Sequence, residues 1–191
     1  MSKANESNGF TLLELMVVLA IVAILATLAA PSFTAMIQSN TMSTTVNTFL
    51  ADFRYARSES IRRGGGVIMC RSDAPEIANP TCGTDSGPGT TGWTSGWIIF
   101  QDLDKNKQKD NNEPLLRVQS PITSMNSIIE TTGPTNSTEI FQFKGNGRIN
   151  PGSATTMQFG SLPQFKSEAQ RKICISPVGR VRIAGDGSTA C

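Results

Sequence analysis

A long apolar segment near the start of the chain, GFTLLELMVVLAIVAILATLAAP, constrains the fold more than any other feature of the sequence. From Leu15 to Ala30 every residue except Thr27 is apolar, and Phe10 to Leu13 extend the run. Such a run reaches the ~20 residues that a helix needs to cross a bilayer. A soluble helix cannot hide this much apolar surface by itself, so the segment must lie in a membrane or among copies of itself. We therefore expect residues 10–31 to form a transmembrane and assembly helix.

Glu14 places a carboxylate inside this apolar run. A charge within a membrane span costs at least ~2 kcal/mol, so such a residue usually has a partner and a function. Gly9 precedes the run, whereas a secretory signal peptide carries its small-residue cleavage site after it. Cleavage after Gly9 would keep the helix and give Phe10 an α-amino cation one helical turn from Glu14. This cation, or that of a neighbouring copy, would pair with Glu14 and set the register between subunits. The alternative is a plain membrane anchor with an acid near the interface.

The residues after the apolar run predict an amphipathic helix and then a β-rich domain. Val46, Phe49, Leu50 and Phe53 recur with helical spacing, while charged residues such as Asp52 fall mostly on the other faces. The helix is expected to end at RRGGG, where glycines permit the turn, so that residues 10–63 would form a helix ~80 Å long, amphipathic over 32–63. Eight β-rich runs follow between turn-forming clusters: VIMCR, GWIIFQD, LLRVQ, SIIET, EIFQFK, TMQFG, KICIS and RVRIA. The predicted fold class is α+β, with the helix packed on an antiparallel β domain over residues 64–191.

The composition excludes several classes of function. The 191 residues include no histidine, which removes the usual general base near neutral pH and the commonest metal ligand. The net charge of +2 is only mildly basic, so any nucleic-acid site must be local. We find no convincing nucleophile and no phosphate-cradling loop, and we expect no enzyme activity.

The four cysteines predict two structural disulfides in an oxidising compartment. Their spacing is not that of a zinc or redox site. Neighbour pairing, Cys70 with Cys82 and Cys174 with Cys191, is the simplest of the three possible connectivities.

The apolar segment resembles the class III signal of type IV pilins and type II secretion pseudopilins. Further along, FLADFRYARSESIRRGGGVIMCRS and GWIIFQDLDKNKQKDNNEPLLR resemble the GspH/FimT family of minor pilins and pseudopilins, with FimT and FimU the more similar members. The resemblance implies that a prepilin peptidase removes residues 1–9 after Gly9 and methylates Phe10. It also implies a helix kink at Pro31, where a proline removes one backbone hydrogen bond.

The same resemblance implies partners and a location. The expected partners are other minor and major pilins, the pilus assembly platform and the inner membrane. The β domain would be periplasmic before assembly, and the protein would then lie in a pilus fibre at the cell surface. Within this setting, a minor pilin near the pilus tip, a purely structural FimU-like minor pilin and a type II secretion pseudopilin are the alternatives.

The segment DLDKNKQKDNNE has the oxygen spacing of an EF-hand calcium loop. Against calcium, position six of the loop is Lys107 where a glycine is expected, and Lys105 and Lys109 add positive charge. A solvated hairpin explains the segment better, and the sequence therefore predicts no cofactor and no metal. The residues at ligand positions would be Asp102, Asp104, Asn106, Gln108, Asp110 and Glu113.

The segment GRVR is the candidate ligand-binding motif of the chain. Arg180 and Arg182 alternate by two, so that both project from one face of an extended strand and can bind phosphates. The motif matches a GRxR signature that FimT-type pilins use to capture DNA in natural transformation, which implies double-stranded DNA as a partner. The alternative is an edge strand whose arginines protect the edge or pair with Asp186 or Glu168. The predicted DNA-binding residues are Gly179, Arg180 and Arg182, with Lys166, Arg171 and Lys172 as further candidates.

Overall fold

The computed structural model describes residues 10–83, 91–132, 140–150, 154–187 and 191, with the main chain alone for residues 28–32 and 132. The predicted leader, Gly9 included, lies outside the described residues. The described chain forms two compact units, one ending at Gln38 and the other beginning at Ser39.

Helix α1 spans Leu12–Arg63. In the first unit its apolar side chains are exposed, for example Leu13 at 72% and Leu25 at 60%. The helix continues through Pro31 without an interruption. No turn of the helix is lost at Pro31, and a bend of the helix axis there stays a prediction. Among the residues that the structure describes, no helix is both long enough and apolar enough to cross a membrane.

The second half of α1 forms one side of the core of the second unit. Its buried apolar residues keep the predicted helical spacing: Met42, Val46, Phe49, Leu50, Phe53 and Ala56. Phe49 lies at the centre, with its ring centroid 5.4 Å from that of Trp97 and 5.5 Å from that of Phe159. The helix ends where predicted, because Gly64, Gly65 and Gly66 all have positive φ, a conformation that favours glycine.

Nine strands and a 3₁₀ helix, Trp93–Ser95, follow in the described part of the chain. Eight strands match the eight predicted runs, and the ninth strand has only two residues, Ile149–Asn150. The strands are β1 (Gly65–Arg71), β2 (Trp97–Gln101), β3 (Leu115–Gln119), β4 (Ile128–Thr132), β5 (Ile140–Lys144), β6 (Ile149–Asn150), β7 (Thr155–Phe159), β8 (Arg171–Ile175) and β9 (Val181–Gly185).

The strands form two antiparallel sheets. The five-stranded sheet has the order β3-β2-β1-β5-β6, and the four-stranded sheet has the order β4-β7-β8-β9. One core contains side chains from both sheets, such as Ile99 and Ile173, together with the aromatic residues of α1. Strand β9 is an edge strand of the four-stranded sheet.

Asp52 corrects the prediction that charged helix residues lie on the exposed faces. Its side chain is buried with 3% exposure. The carboxylate accepts a hydrogen bond from the Trp97 indole at 2.8 Å and pairs with the Arg117 guanidinium at 2.5 Å. Burial of this charge is tolerated because both of its oxygens have partners. Asp52 therefore connects α1 to β2 and β3.

Both disulfides have the predicted connectivity, Cys70 with Cys82 and Cys174 with Cys191. The first closes the loop that follows β1. The second connects the outer face of β8 to Cys191. The structure thus confirms the neighbour pairing.

Candidate functional site

The turn between β8 and β9 is held tightly against the rest of the β domain by Gly179. Its φ is +74°, and a Cβ at this position would lie 2.1 Å from the carbonyl oxygen of Gly147. The Arg57 side chain also meets this junction, where its Nε donates to the Gly147 carbonyl at 3.0 Å. Gly179 was predicted as a DNA-binding residue. The structure gives it a packing role that fixes the start of β9.

Arg180 and Arg182 lie on the outer face of the four-stranded sheet. Arg182 is paired with Cys174 of β8, whereas the alternating residue Val181 is paired with Ile175, whose side chain lies in the core. Arg180 lies directly before β9, and its main chain is hydrogen-bonded to Ser176, so the pairing with the chain after β8 continues and gives Arg180 the face of Arg182. Both side chains are exposed. The structure therefore brings the two guanidiniums to one accessible face of an edge strand.

The arginines do not form the ion pairs that an edge-protecting role would favour. Within the described part of the chain, neither guanidinium pairs with Asp186 or Glu168. Arg182 donates one hydrogen bond, to the main-chain oxygen of Cys191 at 3.2 Å. Most of the hydrogen-bonding capacity of both side chains is thus open to a ligand.

The other predicted basic residues divide between different surfaces. Lys172 shares the outer face with Cys174, two residues along β8, and so lies on the same face as Arg182. Arg171 alternates with Lys172 and shares the face of Ile173. Its guanidinium donates to the carbonyl oxygens of Glu168 and Gln170, each at 2.8 Å. Lys166 is exposed in the loop before β8. The structure favours Arg180, Arg182 and Lys172 as one basic face, without Arg171.

At the start of α1, Glu14 takes part in a helix cap that was not predicted from the sequence. Thr11 lies just before the helix, and its Oγ1 accepts a hydrogen bond from the Glu14 main-chain N–H at 3.2 Å. The spacing Thr-x-x-Glu is that of a helix capping box, and a carboxylate in the first turn is favoured by the helix dipole. Phe10 is 83% exposed. The TLLE segment could have revealed this cap from the sequence.

The charged residues at the end of α1 form an internal cluster. Glu59 pairs with Arg62 at 2.5 Å and with Arg63 at 2.8 Å. Hydrogen bonds from Arg62 and Arg63 lower the pKa of Glu59 to about 2. The cluster is an ordinary charged helix face with i+3 and i+4 pairs, as the spacing predicts.

The β2–β3 loop brings together several of the residues that have the spacing of calcium ligands. One carboxylate oxygen from each of Asp102, Asp104 and Glu113 lies within 4.8 Å of the others. Asn106 Nδ2 donates to Asp104 at 2.9 Å and to Asp110 at 2.8 Å. Burial raises the pKa of Asp102, the Lys107 and Lys105 main-chain N–H groups lower it, and Glu113 and Asp104 raise it.

Comparison with known proteins identifies relatives of two parts of the chain. Residues 45–179 match the family described as type II transport protein GspH. Residues 5–30 match the prokaryotic N-terminal methylation motif, which includes Gly9, Phe10 and Glu14.

Two solved structures resemble the fold of the chain. Both are crystal structures of the type IV minor pilin FimU of Pseudomonas aeruginosa strain PAO1, in different space groups. The first is 17% identical, covers 78% of this chain and 95% of that one, and has a TM-score of 0.56. The second is 16% identical, covers 83% and 98%, and has a TM-score of 0.45.

Proposed function

The chain belongs to the GspH family of pilin-like proteins, and from this premise we propose that it is a minor pilin near the tip of a type IV pilus that also captures DNA. Members of this family are structural proteins rather than enzymes. The methylation motif implies processing by a prepilin peptidase, a membrane-anchored state, and then incorporation with other pilins. This motif supports our proposal that the peptidase cleaves after Gly9 and methylates Phe10.

The exposed apolar part of α1 supports a role in fibre assembly. Long apolar side chains from Leu12 to Leu25 are about half exposed or more. Uncovered apolar surface of this extent favours contact with lipid or with other apolar helices. An inner membrane before assembly, and neighbouring pilin helices afterwards, would each supply that cover. We propose that residues 10–31 serve both states, and that the pilus assembly platform moves the protein from one to the other.

The basic face of β9 is the observation that carries the DNA proposal. Arg180, Arg182 and Lys172 share one surface, and the two arginines are exposed without a carboxylate partner in the described chain. Guanidiniums bind phosphate oxygens through charge-assisted hydrogen bonds, and release of counterions adds to the affinity. A face with so few cations binds DNA weakly and without reading sequence, so several copies or a long duplex supply the avidity.

A type II secretion pseudopilin is the second candidate function, because the matching family is described as a type II transport protein. In that role the protein would lie in a short periplasmic fibre, and the arginines of β9 would have no DNA ligand. Neighbouring genes distinguish the two functions, since a pilus protein is expected among pilus genes and a pseudopilin among secretion genes.

DNA binding is tested with the full chain, purified in detergent, and a long double-stranded DNA over a series of salt concentrations. We expect affinity to fall steeply with salt, and the Arg180→Ala, Arg182→Ala variant to bind more weakly. The slope of log affinity against log salt should decrease by about one for each lost phosphate contact.

The matched control removes two exposed cations elsewhere, with Arg54→Ala and Lys144→Ala. It has the same net charge as the test variant, so it should retain the affinity and slope of the parent if the site is local. Thermal unfolding shows that all three proteins are folded. Equal binding by parent and test variant, or no binding by the parent, would leave a minor pilin whose function is fibre assembly alone.

A further inference from the structure

The β2–β3 loop contains a carboxylate cluster that neither fibre assembly nor DNA binding requires. The cluster consists of Asp102, Asp104 and Glu113, with one oxygen of each within 4.8 Å of the others. Asp102 and Glu113 are buried, with 3% and 5% exposure. Three carboxylates at this distance repel each other unless a cation or a proton lies between them.

Asp102 contains an unsatisfied polar atom within this cluster. Its Oδ2 accepts from the Lys107 main-chain N–H at 3.2 Å. Its Oδ1 is buried and has no hydrogen-bond partner within the described part of the chain. A buried carboxylate oxygen without a partner is costly, because it loses hydration and gains nothing in return. Coordination of a metal ion would satisfy it.

The lysines of the loop do not pair with the carboxylates of the cluster. In the part of the chain that the structure describes, Lys105, Lys107 and Lys109 form no ion pair with the cluster. Lys105 and Lys107 are exposed, and the Lys109 ammonium donates to the main-chain oxygen of Asp110. The positive charges that argued against calcium at the level of sequence therefore do not occupy the cluster.

The backbone of Lys107 answers the other objection to a calcium loop, which is the lack of a glycine at position six. It lies at position six, where such loops use glycine for a sharp turn. Its φ is +65°, so the backbone makes a left-handed turn there with a lysine. The side chain of the preceding residue, Asn106, donates from Nδ2 to oxygens of both Asp104 and Asp110. An amide donor thus bridges two carboxylates at the place where a calcium loop brings its oxygens to the ion.

We propose that the β2–β3 loop is a calcium site. Asp102, Asp104 and Glu113 supply carboxylate ligands, whereas the side-chain oxygen of Asn106 accepts from the Gln108 main-chain N–H at 2.6 Å and holds the loop in shape. An all-oxygen set of carboxylates suits Ca²⁺ better than Mg²⁺, which requires a tighter octahedron and retains its water. The three lysines weaken the site, so we expect a Kd on the order of 10⁻⁴–10⁻³ M, as in extracellular calcium modules.

The bound ion would stabilise the junction between the helix end and the first sheet. The Asp102 main-chain N–H donates to the Gly66 carbonyl at 2.7 Å, directly after the turn that ends α1. Glu113 accepts from the Leu103 main-chain N–H at 2.6 Å and so closes the loop just before β3. A ligand shared by Asp102 and Glu113 would hold the two ends of the loop together.

The test uses the full chain in detergent, freed of metal with a chelating resin, and titrated separately with CaCl₂ and MgCl₂. Isothermal titration calorimetry measures binding, and thermal unfolding measures stabilisation. At 10 mM Ca²⁺, about tenfold or more above Kd, we expect the Tm to rise by about 3 °C or more, and Mg²⁺ to have much less effect.

Two variants and one control make the result specific. Glu113→Gln removes a buried ligand, and Asp104→Asn removes an exposed one and keeps an oxygen that can accept from the Asn106 main-chain N–H. Each should weaken binding about tenfold or more, because ligand charge sets affinity in such loops. Glu76→Gln, an exposed acid in the loop at the opposite end of β1, should respond like the parent. No heat and no Tm shift with up to 10 mM Ca²⁺, an equal shift in all variants, or an equal effect of Mg²⁺ would each overturn the proposal.

Discussion

Glu130 lies on β4 with its side chain on the core face of the four-stranded sheet. Ile128 and Glu130 of β4 are paired with Phe159 and Met157 of β7, both fully buried. Its Oε1 is buried without a hydrogen-bond partner. Burial raises the pKa of Glu130 to about 7, and a hydrogen bond with Thr155 acts in the opposite direction. The carboxyl group is therefore protonated in the folded protein over a pH range in which the unfolded chain has lost that proton.

This raised pKa predicts a stability that falls as pH rises. The folded protein binds the proton more tightly than the unfolded chain, whose pKa is 4.5. The stabilisation is complete below pH 4.5 and is lost as the pH rises through about 7. Glu130→Gln should abolish this dependence and stabilise the protein at pH 8 by about 1–2 kcal/mol, after a discount for partial solvent exposure.

Denaturant unfolding at pH 5 and pH 8, followed by the fluorescence of the buried Trp93 and Trp97, measures the effect. Glu168→Gln is the control, because Glu168 is exposed. Its variant should keep the pH dependence of the parent. An unchanged dependence in Glu130→Gln would mean that another group titrates in this range.

Asp52 and Lys107 show why some roles could not be predicted from the sequence. Helical spacing places Asp52 beside the apolar stripe, but its partner residues, Trp97 and Arg117, are 45 and 65 residues away. Only the pairing of β2 with β3 against α1 brings them to it. Lys107 was taken as evidence against a calcium loop, because a lysine rarely adopts a positive φ. In contrast, Glu14 has a local cap in Thr11 that its spacing already indicated.

At the scale of elements, local pattern predicted the helix end and eight strands. RRGGG ends α1, and every predicted β run overlaps a strand. The division into two sheets was not predicted, because the pairing of β1 with β5 depends on residues that are far apart in the sequence, such as Cys70 and Ile140. Strand β6 has only two residues, so its alternation carries too little signal for prediction.

The disulfide between Cys174 and Cys191 predicts a measurable stabilisation of β8 and β9. It closes a loop with a sequence separation of 17. Loss of such a crosslink costs about 3 kcal/mol in the chain-entropy account. The Cys174→Ser, Cys191→Ser variant should therefore unfold at lower denaturant concentration than the parent. Both cysteines have some exposure, so serine adds no fully buried hydroxyl.

Unfolding of the full chain, monitored by tryptophan fluorescence, measures that cost. A reducing agent provides an independent control: it should lower the stability of the parent and, through the Cys70–Cys82 bond alone, lower that of the variant by less. A variant with the stability of the parent would show that contacts other than the crosslink hold β9 to β8.

At the scale of the whole molecule, the two units of the chain have different surfaces, one largely polar and charged and the other largely apolar. The unit from Ser39 onward encloses an aromatic core and carries the basic face and the acidic loop. In its described residues, 10–38, the unit up to Gln38 exposes apolar side chains and one carboxylate, Glu14. The methylation motif implies assembly with other pilins, and contact with them would cover the largely apolar surface. Glu14 is the residue of this unit on which the assembly hypothesis depends.

We predict that Glu14→Ala lowers incorporation into the fibre by at least about tenfold, because removal of one partner of a buried pair costs 3–5 kcal/mol. The measurement compares the amount of protein in sheared fibres with the amounts in the membrane and with the extent of leader cleavage. Thr11→Ala distinguishes the two roles of Glu14. It removes the hydroxyl that caps the helix, at a cost of about 1 kcal/mol, and keeps the carboxylate.

If pairing between subunits is the role of Glu14, Thr11→Ala assembles nearly as well as the parent while Glu14→Ala does not. If both variants lose incorporation equally, capping of α1 explains the carboxylate and the pairing hypothesis fails. Normal incorporation of Glu14→Ala, at normal membrane levels and after normal cleavage, would exclude both roles. The three results differ because the cap acts within one chain, whereas an ion pair with a neighbouring α-amino group requires the carboxylate itself.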